Sequence, residues 1–405
     1  MSCRKQIALP WQCLSLLVVL MLPLAGCWDR TEVNDLALVT AAGLDKGRNG
    51  NVRLSLLLAV PAALPGASGG GGMMGAGGST GGQQPTIVVS AEGVTVAEAM
   101  TKLQEKLPRR IFWGHSRVIV FGERLARDGI VEHLDFFARY PRTRLHAYVF
   151  VSKGNTEQVL TFIPPMERNA AETMRELAKF RISVNTTLKT LLQTFNTEEQ
   201  TAIVPWIEPT ASDGEEGQGI QLRINGAAIF KNGKMIGHAS DSLTRGIMWV
   251  RNNIKTANVT VRVNNSGYVT LLQLNSRTTV KPFIENGKWK IALDIVTDDD
   301  IVQNTTRLNA NDPNVTNLLE KKAEEEIKQR IREALVFAQK RMKADIFGFG
   351  EAFHRAYPEE WQKAKARWEE LFPAVEVTVR VKANVRRSGL ANFPLAVPEN
   401  EVKKP

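Results

Sequence analysis

Residues 375–387 read Val-Glu-Val-Thr-Val-Arg-Val-Lys-Ala-Asn-Val-Arg-Arg. Val375, Val377, Val379, Val381, Ala383 and Val385 alternate with Glu376, Thr378, Arg380, Lys382, Asn384 and Arg386. That period of two predicts a strand with one buried and one wet face. The stretch just before it has a different period. Trp361, Ala364, Trp368 and Leu371 fall on one side of a helix that begins near Pro358 and is stopped by Pro373. Upstream again, Asp312 is a good N-cap and Pro313 suits the first helical position, where its missing donor costs nothing. Leu319, Ala323, Ile327, Ile331, Ala334, Leu335, Ala338 and Met342 follow at spacings of mostly three and four. They predict one amphipathic helix over 313–344, about 48 Å long at ~1.5 Å per residue. Alanines stand where a coiled coil would want large residues, which favours packing on a sheet. Both helices are expected on the valine face.

Working outward, Val269–Asn275, Thr278–Ile284 and Lys288–Val296 read as antiparallel strands, with Asn286-Gly287 as a hairpin turn. Leu222, Ile224 and Ala227–Phe230 are strand-like, and Asn232-Gly233 turns the chain into Lys234–Ile236. A short helix over 240–249 and a strand over 258–263 follow. Segment 208–219 is nearly free of apolar residues and rich in Gly and acids, so it reads as a linker. Ahead of it, strands are expected at 36–42, 53–60, 86–90, 117–121 and 145–151. Helices are expected from Thr95, where Glu98 completes a capping box, over 124–138 and over 186–195. Residues 65–82 hold ten glycines in eighteen and read as a surface insertion. The fold class is therefore α/β of the α+β type: three mixed α/β domains in series, each a small sheet packed by helices. Their bounds are 27–207, 220–264 and 265–390, followed by a tail over 391–405.

The chain has 405 residues, 43% hydrophobic and 23% charged, with a net charge of +10. This excludes a wholly disordered chain and a multi-spanning membrane protein. Residues 1–26 read as a signal peptide: Arg4 and Lys5 are followed by an apolar core over 14–24 that is short for a membrane span. Leu24-Ala25-Gly26-Cys27 then resembles the bacterial lipobox, in which the cysteine takes a diacylglyceryl group and becomes the first residue after cleavage. Cys27 is thus the expected lipid-attachment site. Cys3 and Cys13 leave with the signal peptide, so the 379-residue remainder keeps no free thiol. Loss of Arg4 and Lys5 lowers its net charge from +10 to +8. Two acyl chains anchor stably, whereas one binds reversibly.

Motifs for chemistry are sparse. His115, His133, His146, His238 and His354 have no metal-binding spacing, and there is no Gly-x-Ser-x-Gly elbow. No catalytic residue, metal site or cofactor is expected beyond the covalent lipid on Cys27. Glu324, Glu325 and Glu326 read as a solvated helix face, and Asp298, Asp299 and Asp300 as an exposed turn. Segment 101–145 carries ten basic and five acidic residues, densest at Arg109-Arg110 and Arg142-Thr143-Arg144. Phe112, Trp113, Phe136, Phe137 and Tyr140 lie between those points. Packed aromatics with arginines on the solvent side is the first reading, and a protein or anionic-lipid contact the second. Nucleic acid is not an expected partner of an exported chain.

Two segments carry a family resemblance. Cys27-Trp28-Asp29-Arg30-Thr31-Glu32-Val33-Asn34-Asp35-Leu36 resembles the mature start of the C subunits of spore germinant receptors. Asp345-Ile-Phe-Gly-Phe-Gly-Glu-Ala-Phe-His354 resembles their C-terminal hallmark, and Tyr357-Pro358, Trp361, Trp368 and the basic valine strand through Arg386-Arg387 fit with it. The resemblance implies three mixed α/β domains in a non-catalytic lipoprotein on the outer face of the spore inner membrane. It implies A- and B-type membrane subunits as partners and a response to nutrients such as amino acids or sugars. Direct nutrient binding by this chain, and envelope hydrolysis, are the alternatives. Phe347 and Phe349 are expected to plug a core, with Gly348 and Gly350 reversing the chain after the long helix.

Overall fold

The computed structural model describes residues 35–59, 86–197, 199–211, 220–263 and 267–387. The signal peptide, Cys27, the Gly-rich insertion 65–82 and the tail 391–405 lie outside them. All thirteen described strands fall into two sheets. In the first sheet, β1 (Leu36–Lys46) is the spine. It pairs antiparallel with β2 (Val52–Ala59), which pairs with β3 (Thr86–Gly93). On its other side β1 runs parallel to short β4 (Arg110–Phe112) and to β5 (Val118–Gly122), and β5 runs parallel to β6 (Tyr148–Ser152). Helices cover both faces, which is why β1 and β2 are apolar at consecutive positions rather than alternate ones. On one face lie α1 (Val96–Lys106), α2 (Glu123–Asp128) and α3 (Val131–Arg139). On the other lie α4 (Thr156–Leu160) and α5 (Ala170–Lys179). Then α6 (Leu188–Phe195) returns to the first core.

Three local expectations change here. Helix 124–138 is two helices, because Gly129 adopts φ 138°, which side chains rarely tolerate. Neither α4 nor α5 was anticipated. The start of α4 is set by a tertiary contact, since Asp45 at the end of β1 accepts the Thr156 N–H at 3.1 Å and its hydroxyl at 2.6 Å. By contrast, α5 starts at a local cap in which Asn169 accepts the Glu172 N–H at 3.1 Å. Third, β7 (Thr201–Ala211) and β8 (Ile220–Lys231) pair antiparallel along their length. Segment 208–219 therefore connects neighbouring strands of one sheet, and Glu208 is buried strand; residues 212–219 lie outside the described residues. After β8, Asn232 and Gly233 both take positive φ (51° and 76°), making the tight turn into β9 (Lys234–Ala239). The strands expected at the start of a middle domain thus belong to the first sheet, and those at its end to the second. The architecture is mixed α/β, with two sheets flanked by helices.

Next α7 (Asp241–Val250) leads into the second sheet, ordered β10 (Ala257–Arg262), β11 (Tyr268–Glu285), β12 (Lys288–Asn304) and β13 (Glu376–Arg387). The two strands expected at 269–284 are one eighteen-residue strand, with register shifts between Thr270 and Leu271 and between Gln273 and Asn275. Asp298, Asp299 and Asp300 are not a turn. They continue β12, and Asp299 is only 1% exposed because the two-residue period carries it inward. The valine strand, β13, runs parallel to β12, and Val379 pairs with Leu293. The long helix, α8 (Pro313–Val336), is prolonged by a π-helical segment to Met342. It buries Val315, Leu319, Ala323, Ile327 and Ile331 in the core that contains Val379. Glu324 departs from the solvated-face expectation, since its carboxylate accepts the Ala383 N–H of β13 at 3.2 Å. Glu320 accepts from Val385 at 2.9 Å. The helix thus satisfies edge donors that would otherwise pair with another chain.

Candidate functional site

The conspicuous polar construction lies where the two sheets meet, and it is built by the hallmark segment after α8. Lys343 ends the π-helical segment in the left-handed region (φ 48°), and Gly348 repeats that conformation (φ 79°) as the cap of α9 (Phe349–Ala356). Between them Asp345 turns inward and is 5% exposed. Its Oδ1 accepts the N–H groups of Phe347 (3.2 Å), Gly348 (3.0 Å) and Phe349 (3.1 Å). Its Oδ2 accepts the Gly350 N–H at 2.7 Å and the Trp368 indole N–H at 3.0 Å. Burial raises the Asp345 carboxyl above its ordinary range, against the opposing pull of the Gly350, Phe349, Trp368 and Phe347 donors. Every donor is an N–H, so the geometry suits the carboxylate. Gly350 is required by space, because a Cβ there would sit 2.5 Å from the Glu199 carboxylate and 2.7 Å from Trp361.

Trp368 is held in turn by an aromatic cluster. Trp361 on α10 (Pro358–Ala364) and Trp368 at the start of α11 (Trp368–Leu371) pack edge to face at 5.1 Å. Trp289 of β12 meets Phe353 at 4.6 Å and Trp368 at 5.7 Å. Phe347 and Phe349 stack at 5.1 Å and are buried, so both plug the core as expected.

Other elements grip the same loop from outside. Thr201 at the start of β7 donates its hydroxyl to the Asp345 carbonyl at 2.7 Å, and Lys231 at the end of β8 donates to the Lys343 carbonyl at 3.1 Å. Arg251, just after α7, donates to the Ile346 carbonyl at 2.5 Å. The loop is thereby bonded both to the first sheet and to α7. Beside it opens a cleft of about 220 Å³ whose walls include Asn185, Thr194, Glu199, Arg251, Asn253 and Glu351. Burial raises the Glu199 carboxyl, and nearby Asp345 and Glu351 add to the shift.

What this can do chemically is limited and informative. Both oxygens of Asp345 are engaged by donors of its own chain, so it is a fastener rather than an acid or base poised for a substrate. Among the described residues no group of three or more His, Cys, Asp or Glu could hold a metal ion. His133 is buried on α3, and His238 lies 2.7 Å from the Asn225 carbonyl and against Trp206. Trp113 and Phe137 of the basic segment are buried, and Arg142 lies over the Phe112 ring, 5.9 Å from its centre. Cys27, the predicted attachment site, lies outside the described residues. Sequence reasoning had singled out the hallmark glycines and phenylalanines but not Glu199, Thr201 or Arg251. Those three sit in no motif and meet only through folding. An aspartate placed before Phe-Gly-Phe-Gly was a legible turn signal.

Comparison with known proteins matches both halves of the chain. Residues 29–209 match the family described as spore germination protein N-terminal domain, and residues 225–389 match spore germination B3/GerAC like, C-terminal. Spore germination protein KC of Bacillus subtilis (strain 168) is 27% identical over 410 residues, covering 94% of this chain and 96% of that protein. Putative spore germination protein YfkR of the same organism is 28% identical over 382 residues, covering 94% and 97%. The crystal structure of the GerBC protein superposes with a TM-score of 0.55 at 17% identity, covering 88% of this chain and all of that one. At that identity the likeness speaks for the fold.

Proposed function

The chain belongs to the GerAC-like family of spore germination proteins, and from that premise we propose that it is the lipid-anchored C subunit of a nutrient germinant receptor. Consecutive matches over nearly the whole chain carry this reading. In it the diacylglyceryl group on Cys27 holds the body on the outer face of the spore inner membrane, beside A- and B-type membrane subunits. Among the described residues no helix is long and apolar enough to cross a membrane. Tethering raises the effective concentration of the body near its partners, so modest contacts suffice. Its role is non-catalytic: a scaffold or receptor component whose two sheets are fastened at Asp345.

Metabolic acyl labelling of Cys27→Ala tests the anchor. Loss of label with loss of germination through this receptor supports it, and label retained by the variant refutes it. Pull-down from spore inner membranes tests the assembly, and recovery without either membrane subunit counts against it. A second reading, direct nutrient binding, is favoured by the cleft of about 220 Å³, which is lined by one guanidinium and three carboxylates, that of Asp345 being engaged by its own loop. Calorimetric titration with amino acids and sugars decides it, with Arg251→Ala as the control.

A further inference from the structure

Leu36 opens β1 at the end of the first sheet from which the parallel strands β4, β5 and β6 also start. Around that point the structure gathers basic side chains. Arg110 pairs with Leu36 across the β1–β4 ladder. Arg142 lies over Phe112, which pairs with Leu38. Arg144 occupies the turn into β6, where its carbonyl accepts the Ala147 N–H. The 161–169 loop reaches the same end, since Ile163 and Arg168 line a hollow with Leu57 and Thr86, and Thr86 pairs with Ala59 opposite Leu38. On this loop Ile163 is 63% and Met166 89% exposed. Segments 35–36, 109–110, 142–146 and 161–169 together hold five arginines against Asp35 and Glu167. Among the described residues Arg110, Arg142, Arg144 and Arg168 have no carboxylate partner. Elsewhere among the described residues some exposed arginines are paired, as Arg127 with Glu123 and Arg139 with Asp135, while others such as Arg124 and Arg262 are not, so it is the clustering at one end that distinguishes this face.

We infer that this end of the first sheet is a membrane-facing surface that docks on anionic lipid headgroups, with the four arginines on the phosphates and Ile163 and Met166 in the interface. Chain length places it there. Eight residues separate Cys27 from Leu36, a span of at most about 30 Å when extended. A chain anchored at Cys27 must keep its β1 end near the bilayer, and that is the end that is basic and apolar at once. Exposed basic residues gain affinity from an anionic surface, and apolar side chains insert at the headgroup boundary. The lipid supplies attachment, and the arginine face supplies orientation, turning the second sheet away from the membrane. The inference rests on the proposed anchor only for this placement.

The test uses the chain from Trp28 onward, without the anchor, which keeps every residue of the buried clusters formed by the described residues. Co-sedimentation is measured with phosphatidylglycerol and with phosphatidylcholine vesicles. The expected result is salt-sensitive binding to the first and none to the second. Arg110→Glu, Arg142→Glu and Arg144→Glu together should weaken binding by about a hundredfold, from about fivefold per basic residue near the surface. Met166→Asp should weaken it as well, and Arg124→Glu with Arg127→Glu should leave it unchanged. No binding to phosphatidylglycerol at low salt overturns the inference and leaves the face to a protein partner. Equal binding to both vesicles, or an equal loss in the Arg124 and Arg127 control, overturns it too. Acyl labelling reports on Cys27 independently, so failure of the anchor and failure of this face are separable.

Discussion

Trp368 donates its indole N–H to Asp345 Oδ2 at 3.0 Å, although the two residues lie on opposite sides of α9 and α10 in the sequence. That bond closes the carboxylate's set of five donors and ties the hallmark loop to the aromatic cluster on the second sheet. Asp345→Asn keeps the shape but turns an NH2 toward N–H groups that need an acceptor. The expected cost is about 2–4 kcal/mol, from hydrogen bonds to a buried charge. Trp368→Phe, which removes one donor and keeps most of the volume, should cost about half as much. Urea denaturation of both variants measures this. Midpoints equal to that of the parent would mean that the carboxylate does not hold the loop.

Val379 faces the core beneath α8 and is 6% exposed, with Leu293 as its neighbour on β12. A carboxylate there has no partner in an apolar cluster. Val379→Asp should lower stability by about 3–5 kcal/mol, whereas Arg380→Asp on the wet face of the same strand should cost far less. Chemical denaturation of the pair checks the facing directly, and a loss for Arg380→Asp as large as or larger than that for Val379→Asp would overturn it.

The elements legible in the sequence were those with an uninterrupted period. The valine alternation of β13, the stripe of α8 and the Asn-Gly turns at 232–233 and 286–287 appear where the residues put them. What was hidden depends on partners far along the chain. Three consecutive aspartates look like a turn by composition, yet β12 runs through them because β11 and β13 pair on either side. Glu324 looks like a solvated face until β13 presents the Ala383 N–H to it. The polar stretch 208–219 looks like a linker because its weak apolar pattern conceals that β7 and β8 pair across it. At the junction, Asp345 was inside a recognisable segment, but Thr201 and Arg251 reach the carbonyls of Asp345 and Ile346 from 144 and 95 residues away. No local signal encodes such distances.

Gly246 shows where two helices set a residue choice. A Cβ at this position of α7 would fall 2.4 Å from the Arg330 carbonyl oxygen and 2.8 Å from the Ala334 Cβ on α8. In an exposed helix Gly→Ala gains about 1 kcal/mol from propensity. Here the clash is with backbone and outweighs that gain, because overpacking costs about 1–3 kcal/mol. Gly246→Ala should therefore destabilise, and Gly246→Val more so. A thermal melt that rises for Gly246→Ala would show that α7 can back away from α8 at little cost.

Asp299 makes stability depend on pH with a sign that can be worked out. Its Oδ2 accepts the Thr297 hydroxyl at 2.6 Å, while Oδ1 has no partner among the described residues. Burial, with Asp298, Asp300 and Glu320 nearby, raises its pKa from 3.8 to about 6. The folded protein thus holds this proton where the unfolded chain has released it. Stability should fall as pH rises from about 4 to about 6 and then level off, by about 3 kcal/mol in all at about 1.4 kcal/mol per pK unit. Asp299→Asn is close in shape and has no charge to bury, so it should lose this component. Urea midpoints of parent and variant should agree near pH 4, and the variant should lead by a growing margin up to pH 6 and hold it at pH 8. A constant difference between the two across that range would show that Asp299 is not the titrating group.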